Sequence, residues 1–220
     1  MITDRLLHIH VPRTGGDVLR YVLQNTDGLQ IFSGDEKHLT YQQMRGRIDD
    51  PLPIITFIRS PWEYYLSQWG WLSAARAAGF PAPFRRYLDM IQAKSATHGL
   101  HTTLTRNWDL MGCNEADYIG RFERLRSEIV RILNEIIPDL ITPQETGALL
   151  SRAPLFTPDT LPGWGPLAKG PSPYRSYYDS DLKKRVKRWD GELIERFGYM
   201  FGGGDNERTA GEPGRSGNGD

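Results

Sequence analysis

The chain of 220 residues carries 27 basic and 27 acidic side chains, so its formal net charge is zero with neutral histidines. This balance excludes broad electrostatic attraction to nucleic acid or anionic membranes and confines any anion site to a local cluster. The single cysteine, Cys113, excludes an internal disulfide framework, and no apolar run reaches the roughly 20 residues that cross a bilayer. We therefore expect one cytoplasmic domain with a sizeable core, without a nucleic-acid partner or a membrane segment.

Strand-like and helix-like segments alternate along the first part of the chain. We predict strands at about residues 6–11 and 29–32, with helices at about 17–25 and 41–47. The uninterrupted apolar run at 53–58 is typical of a strand covered on both faces. After it, apolar residues spaced by three and four predict a buried helix face formed by Trp62, Leu66, Trp69 and Leu72.

The later part of the chain continues this alternation. We predict a helix at 84–93, a strand at 118–122, and helices at 123–137 and 181–197. The proline- and glycine-rich stretch 138–173 reads mostly as loop. Residues 1–201 then form the domain, and 202–220 form a disordered tail. The alternation predicts an α/β fold with a central, mainly parallel sheet.

The first candidate site lies where the first predicted strand ends. Residues 12–17 read Pro-Arg-Thr-Gly-Gly-Asp and lead directly into the first helix. The two glycines allow the backbone to approach a ligand, the first helical turn offers unpaired N–H groups, and Arg13 adds a positive charge. A phosphate or sulfate is the ligand that fits. The alternative is a tight turn in which Asp17 only stabilises the helix dipole.

A second candidate site follows the strand at 53–58. Arg59 ends that strand, Pro61 suits the first turn of a helix, and Ser67 lies about two turns further on. An arginine fork beside a hydroxyl is a good receptor for a phosphate monoester. The alternative is that Arg59 pairs with an acidic residue. Because ligands of open α/β sheets bind at the carboxyl ends of strands, the two segments together favour a binding site.

Both segments resemble the nucleotide-binding motifs of sulfotransferases that use 3′-phosphoadenosine 5′-phosphosulfate (PAPS), in particular the carbohydrate type with its heparan-sulfate O-sulfotransferases and bacterial relatives. Residues 12–17 are similar to that family's Pro-Lys-Thr-Gly-Gly-Thr loop, and Arg59, Pro61 and Ser67 are similar to its Arg-x-Pro…Ser segment. Residues 37–41, 117–123 and 177–199 resemble further family segments in the same order. The resemblance implies a P-loop-like, three-layer α/β/α fold.

The resemblance also implies roles for particular residues. PAPS would be the donor, and no metal would be needed. The first loop and the segment after the strand at 53–58 would hold it, through Pro12, Arg13, Thr14, Gly15, Gly16, Asp17, Val18, Arg59 and Ser67. Arg13 would neutralise charge on the leaving group. His38 would act as the general base, because a histidine titrates near the working pH.

Other candidates come from the middle and late parts of the chain. His101 is the rival base, and with Arg106 it could instead contact the acceptor. Lys169 and Arg175 lie where sulfotransferases supply a further 3′-phosphate contact, with a solvated loop as the equal alternative. The acceptor would be the hydroxyl of a carbohydrate or of a small molecule.

Two departures from the family pattern leave a second interpretation open. Arg13 replaces the usual lysine, and Asp17 replaces a threonine or serine and brings negative charge near an anion. A noncatalytic nucleotide- or glycan-binding relative is therefore the alternative. A small-molecule kinase would need a Walker lysine and a magnesium-binding hydroxyl, which this loop lacks.

Overall fold

The computed structural model describes residues 1–32, 36, 38–75, 83–94, 102–153 and 173–202. In these residues three parallel strands, β1 (Leu7–His8), β2 (Ile54–Ile58) and β3 (Tyr118–Arg121), form a sheet in the order β1-β2-β3. Leu7 pairs with Ile54, and Ile55 pairs with Tyr118. Since all three strands run the same way, the segments that follow them meet at one edge of the sheet.

Nine α-helices surround the sheet in the described part of the chain. They are α1 (Gly16–Gln24), α2 (Tyr41–Arg45), α3 (Pro61–Ala75), α4 (Phe84–Lys94), α5 (Leu104–Met111), α6 (Leu125–Ile136), α7 (Pro143–Arg152), α8 (Ser180–Trp189) and α9 (Gly191–Arg196). Short 3₁₀ turns lie at Cys113–Glu115, Phe122–Arg124 and Pro173–Tyr177. No helix among the described residues combines the length and the apolar character needed to cross a bilayer.

The sheet separates two hydrophobic cores. Ile54 and Ile58 of β2 belong to the core built with α2, α3, α4, α5, α8 and α9. Ile55 and Phe57 belong to the core built with α1, α6 and α7. Neighbouring side chains of a strand point to opposite faces, so a continuous apolar strand serves both cores. The predicted three-layer α/β/α architecture is confirmed.

The predicted strand at 29–32 is wrong. In this segment the structure shows only an isolated antiparallel bridge between Thr3 and Ile31, with the Phe32 amide donating to the Ile2 carbonyl. Ile31 and Phe32 are 36% and 60% exposed. Their apolar pattern therefore has no core to pack against, and the segment stays at the margin of the sheet.

The stretch 138–173, which the sequence predicts to be mostly loop, contains the helix α7. Thr142 caps this helix in a reciprocal arrangement: its hydroxyl accepts from the Glu145 amide, and the Glu145 carboxylate accepts from the Thr142 amide. Pro143 occupies the first helical turn. Such a capping box was readable in the sequence. Residues 154–172 lie outside the described residues.

The single helix predicted at 181–197 is divided at Asp190 into α8 and α9. The Asp190 carboxylate is fully buried and accepts hydrogen bonds from Tyr65 Oη at 2.7 Å and from the Thr105 amide at 2.8 Å. These contacts hold Asp190 at φ −120°, outside the helical range, and the chain turns there. Helix α5, which carries Thr105, is a further helix that the polar sequence at 102–111 did not predict.

Candidate active site

The loop between β1 and α1 is tightly constrained. Arg13 and Gly15 adopt left-handed backbone conformations, with φ of 67° and 99°. A Cβ atom on Gly15 would lie 2.7 Å from Leu125 Cδ2, and one on Gly16 would lie 2.2 Å from His10 Cδ2. The loop backbone is thus pressed against α6 and His10. A left-handed arginine is a strained conformation of the kind that concentrates at functional sites.

The first turn of α1 has no side-chain cap. Gly15 is the N-cap residue and offers no hydrogen-bonding side chain, so no N-cap side chain covers the N-terminus of this nine-residue helix, where the Val18 amide donates to the Gly15 carbonyl at 3.0 Å. Thr14 is buried and its hydroxyl donates to the Val11 carbonyl at 2.8 Å, while Val18 packs in the core. These two side chains hold the loop against the core, so neither of them points to a ligand from the predicted anion-binding loop.

The structure brings the two predicted phosphate-binding segments together. Arg13 Nε donates to Ser67 Oγ at 3.2 Å, and Arg59 Nη1 donates to the Arg13 carbonyl at 3.3 Å. Ser67 is buried on α3, whose first residue is Pro61. Residues 46 and 54 positions apart in the sequence thus form one cluster at the carboxyl edge of the sheet.

Arg59 is held on several sides. Its guanidinium carbon lies 3.8 Å from the centroid of the Phe122 ring, a cation–π contact, and its Nη2 lies 3.6 Å from Glu63 Oε2. The acidic partner that the alternative interpretation expected is therefore present. Arg59 Nε is buried and has no hydrogen-bond partner among the described residues. The guanidinium retains a donor for a further acceptor.

Burial and mutual repulsion shape the charges of the two arginines. Burial, together with the charge of Arg59, lowers the pKa of Arg13 to about 10, against the opposing effect of Asp17. Burial likewise lowers the pKa of Arg59, and Glu63 and Glu123 offset part of that effect. Both remain protonated at neutral pH. Two adjacent, partly desolvated cations are a favourable environment for an anion.

Glu123 is a contributor that the sequence analysis did not assign to the site. Its Oε1 accepts from the Ser60 amide at 2.6 Å and its Oε2 accepts from Tyr199 Oη at 3.2 Å. Arg121, two residues before Glu123, donates to the Phe197 carbonyl. Phe122 and Glu123 directly follow β3, so the rule that parallel strands end at one edge could have found them.

His10 connects His38 to the first loop, because it contacts both. His38 Nδ1 is 3.2 Å from the His10 carbonyl oxygen, and the two ring centroids are 5.0 Å apart. His38 is exposed, whereas His10 is buried. The His10 ring also contacts Gly16 of the loop.

The remaining predicted residues are more scattered. Arg175 is exposed and donates to the Gly202 carbonyl, and Arg106 is half-buried in the first turn of α5. His101 and Lys169 lie outside the described residues, as does the predicted tail from residue 203. Among the described residues no histidine, cysteine, aspartate and glutamate side chains are grouped to hold a metal ion.

Known proteins are similar to this chain in structure. No protein-family model matches the chain, and no curated protein matches its sequence. The structure is similar to that of mouse sulfotransferase SULT7A1 complexed with PAP, with a TM-score of 0.59 and 11% identity over 87% of this chain and 84% of that chain. A further similarity is to retinol dehydratase in complex with androsterone and the inactive cofactor PAP, with a TM-score of 0.48 and 14% identity over 81% of this chain and 57% of that chain.

The similarity to the mouse protein shows that the chain has the P-loop-like sulfotransferase fold. The fold class implied by the two sequence motifs is confirmed.

Proposed function

We propose that the protein is a sulfotransferase that moves a sulfuryl group from PAPS to a hydroxyl of a carbohydrate or small-molecule acceptor. The observation that carries this proposal is the contact of Arg13 with both Ser67 and Arg59. It joins two anion-binding segments in a chain with the sulfotransferase fold. The mouse protein of that fold was crystallised with PAP, the nucleotide that remains when PAPS loses its sulfuryl group.

The two segments are suited to the two ends of such a nucleotide. The uncapped N–H groups of α1 and the Arg13 guanidinium would bind the 5′-phosphosulfate. Arg59, with its unpaired buried Nε, and the Ser67 hydroxyl would bind the 3′-phosphate. Arg13 would neutralise the charge that grows on the bridging phosphate oxygen as the sulfur–oxygen bond breaks.

His38 is the proposed general base. The acceptor oxygen would form a bond to sulfur as the bond from sulfur to the bridging phosphate oxygen breaks, and His38 would take the hydroxyl proton. Its place beside the loop, through His10, supports this role over that of an isolated surface histidine. A His38→Ala variant is expected to lose turnover while it still binds PAP. His101 would replace it as the candidate if that variant retained activity.

The acceptor class and the remaining contacts follow from the family resemblance. The resemblance to heparan-sulfate O-sulfotransferases favours a sugar hydroxyl. Arg106 would contact the acceptor, and Lys169 or Arg175 would add a contact to the 3′-phosphate. Screening [³⁵S]PAPS against polysaccharides and against small phenols and alcohols tests this, since transfer to sugars alone would support the carbohydrate class.

Calorimetric titration with PAP and with ATP tests the donor class. The intact protein and two variants are compared: Arg59→Ala, and Arg126→Ala as a control for loss of an exposed arginine on α6. We expect micromolar PAP binding, weak ATP binding, and at least a tenfold loss of PAP affinity in Arg59→Ala alone, since a charge-assisted hydrogen bond contributes roughly 1.5–3 kcal/mol. No PAP binding by the intact protein would overturn the proposal.

A noncatalytic nucleotide-binding protein is the second candidate. The half-buried position of Asp17 in the first turn of α1 favours it, because a carboxylate there opposes the approach of the phosphosulfate. PAP binding without sulfuryl transfer to any acceptor in the screen would support this candidate.

A further inference from the structure

His10 contacts both the proposed donor loop and the proposed base. Its ring packs against Gly16 so closely that a Cβ there would be 2.2 Å from His10 Cδ2. The same ring lies 5.0 Å from the His38 ring, centroid to centroid, with 34° between the planes. A single buried residue thus contacts both the first turn of α1 and His38.

The backbone of His10 contacts His38 as well. His38 Nδ1 lies 3.2 Å from the His10 carbonyl oxygen. A carbonyl oxygen only accepts hydrogen bonds, so this contact requires a proton on Nδ1. In neutral His38 the lone pair is then on Nε2, the ring nitrogen further from the His38 backbone. Nε2 is therefore the atom that can take the proton of the acceptor's hydroxyl group.

The other contacts of His10 limit its movement. His8 stacks on it with 5.6 Å between centroids and packs edge-on against Phe57. His8 is 1% exposed, and burial lowers its pKa well below the ordinary value, which keeps it neutral. His10 therefore packs against an uncharged aromatic pair formed by His8 and Phe57. A movement of the His10 ring would lose its contact with His8 or with Gly16.

We propose that His10 is a positioning residue for the base: its carbonyl fixes the Nδ1–H tautomer of His38, and its ring sets the position of His38 relative to the first turn of α1. The inference rests on the proposed function, because it assigns His38 as the base. In this role His10 never touches the donor or the acceptor. It acts by holding Nε2 of His38 in the orientation and protonation state that proton transfer needs.

Nitrogen-15 NMR of the histidine rings, together with steady-state kinetics, tests this proposal. The intact protein is compared with His10→Ala, which removes the ring, and with His10→Phe, which keeps a flat ring but no ring nitrogen. Val22→Ala is the control, because it truncates a fully buried side chain of α1 in the core shared with α6 and α7 and so destabilises the fold away from His38.

We expect the Nδ1–H tautomer of His38 in the intact protein, in His10→Phe and in Val22→Ala. His10→Ala keeps the backbone carbonyl but removes the ring that holds His38 against it, so we expect a mixture of tautomers in this variant. We expect kcat to fall roughly 10- to 100-fold in His10→Ala, since a misplacement near 1 Å has effects of that size. His10→Phe should recover most of this loss, while the Kd for PAP changes less than about threefold in every variant.

Three results would overturn the positioning role. They are an Nε2–H tautomer in the intact protein, an unchanged tautomer in His10→Ala, and an equal loss of kcat in His10→Ala and Val22→Ala. Failure of the proposed function gives a different result: the intact protein would not bind PAP, while the tautomer of His38 would still report whether His10 fixes it.

Discussion

Replacing Gly16 with alanine should perturb both the stability and the site of this protein. The added Cβ would lie 2.2 Å from His10 Cδ2 and 2.7 Å from His10 Cγ. Carbon atoms pack at roughly 3.5 Å or more, so the imidazole would have to retreat by about 1.3 Å. It cannot do so freely, because the His8 and His38 rings also pack against it, with centroids 5.6 and 5.0 Å away. We expect an overpacking cost of about 1–3 kcal/mol.

The matched control is Gly147→Ala in α7. A Cβ there would meet no atom within 4 Å, and alanine is favoured over glycine inside a helix by about 1 kcal/mol. Gly147→Ala should therefore raise the free energy of unfolding slightly, whereas Gly16→Ala should lower it. The contrast separates the clash with His10 from the general effect of alanine in a helix.

Urea unfolding followed by circular dichroism measures both variants under one set of conditions. We expect a lower midpoint for Gly16→Ala and a higher midpoint for Gly147→Ala, with unchanged m-values. Sulfuryl transfer, once an acceptor is known, should fall in Gly16→Ala alone, because a displaced His10 displaces His38. A Gly16→Ala variant as stable as Gly147→Ala would refute the reasoning that the loop is held against the His10 ring.

Three further changes test the electrostatics and the hydrogen bonds. Asp17→Thr removes a carboxylate near Arg13, so it should tighten PAP binding roughly 2- to 5-fold. Calorimetry at increasing salt concentrations should show that this gain in PAP affinity decreases. Ser67→Ala removes the hydroxyl that we propose binds the 3′-phosphate, and it should weaken PAP binding about 5- to 30-fold. Binding of adenosine 5′-phosphosulfate, which lacks the 3′-phosphate, should be nearly unaffected; equal losses would contradict the assignment. Burial raises the pKa of Asp190 from 3.8 to about 6, so the folded state retains its proton longer than the unfolded chain. Protonated Asp190 therefore contributes about 3 kcal/mol to the free energy of unfolding below pH 4, and this contribution is lost as the pH rises through 6. Urea midpoints should fall more across this pH range in the intact protein than in Asp190→Asn. Parallel pH profiles of the two proteins would contradict the prediction.

Local patterns were sufficient for much of the fold. The apolar run of β2 requires burial on both faces, and the helical spacing of Leu125, Ile129, Ile132 and Leu133 requires one buried side. These preferences act within a few residues, so the chain carries them wherever it folds. Helix α7 also has a local sequence signal, the capping box at Thr142, although prolines and glycines surround it in the sequence.

Other features depended on partners far along the chain. The segment at 29–32 has a strand-like pattern, but no core covers its Ile31 and Phe32. The break between α8 and α9 comes from the contacts of Asp190 with Tyr65 and Thr105. Neither partner is visible in the neighbouring sequence. Local propensity is a weak preference, and tertiary contacts of a few kcal/mol override it.

The candidate site shows the same division. Glycine pairs, a basic residue and the ends of apolar runs mark Arg13 and Arg59 in the sequence, because anion binding needs an approachable backbone and fixed positive charge. Only the folded chain shows that the two arginines and Ser67 are in contact, and that His10 contacts both Gly16 and His38. The sequence alone thus determined which residue types could bind an anion. Only the tertiary structure brings Arg13, Arg59 and Ser67 into contact, because the parallel sheet places the carboxyl ends of its strands at one edge.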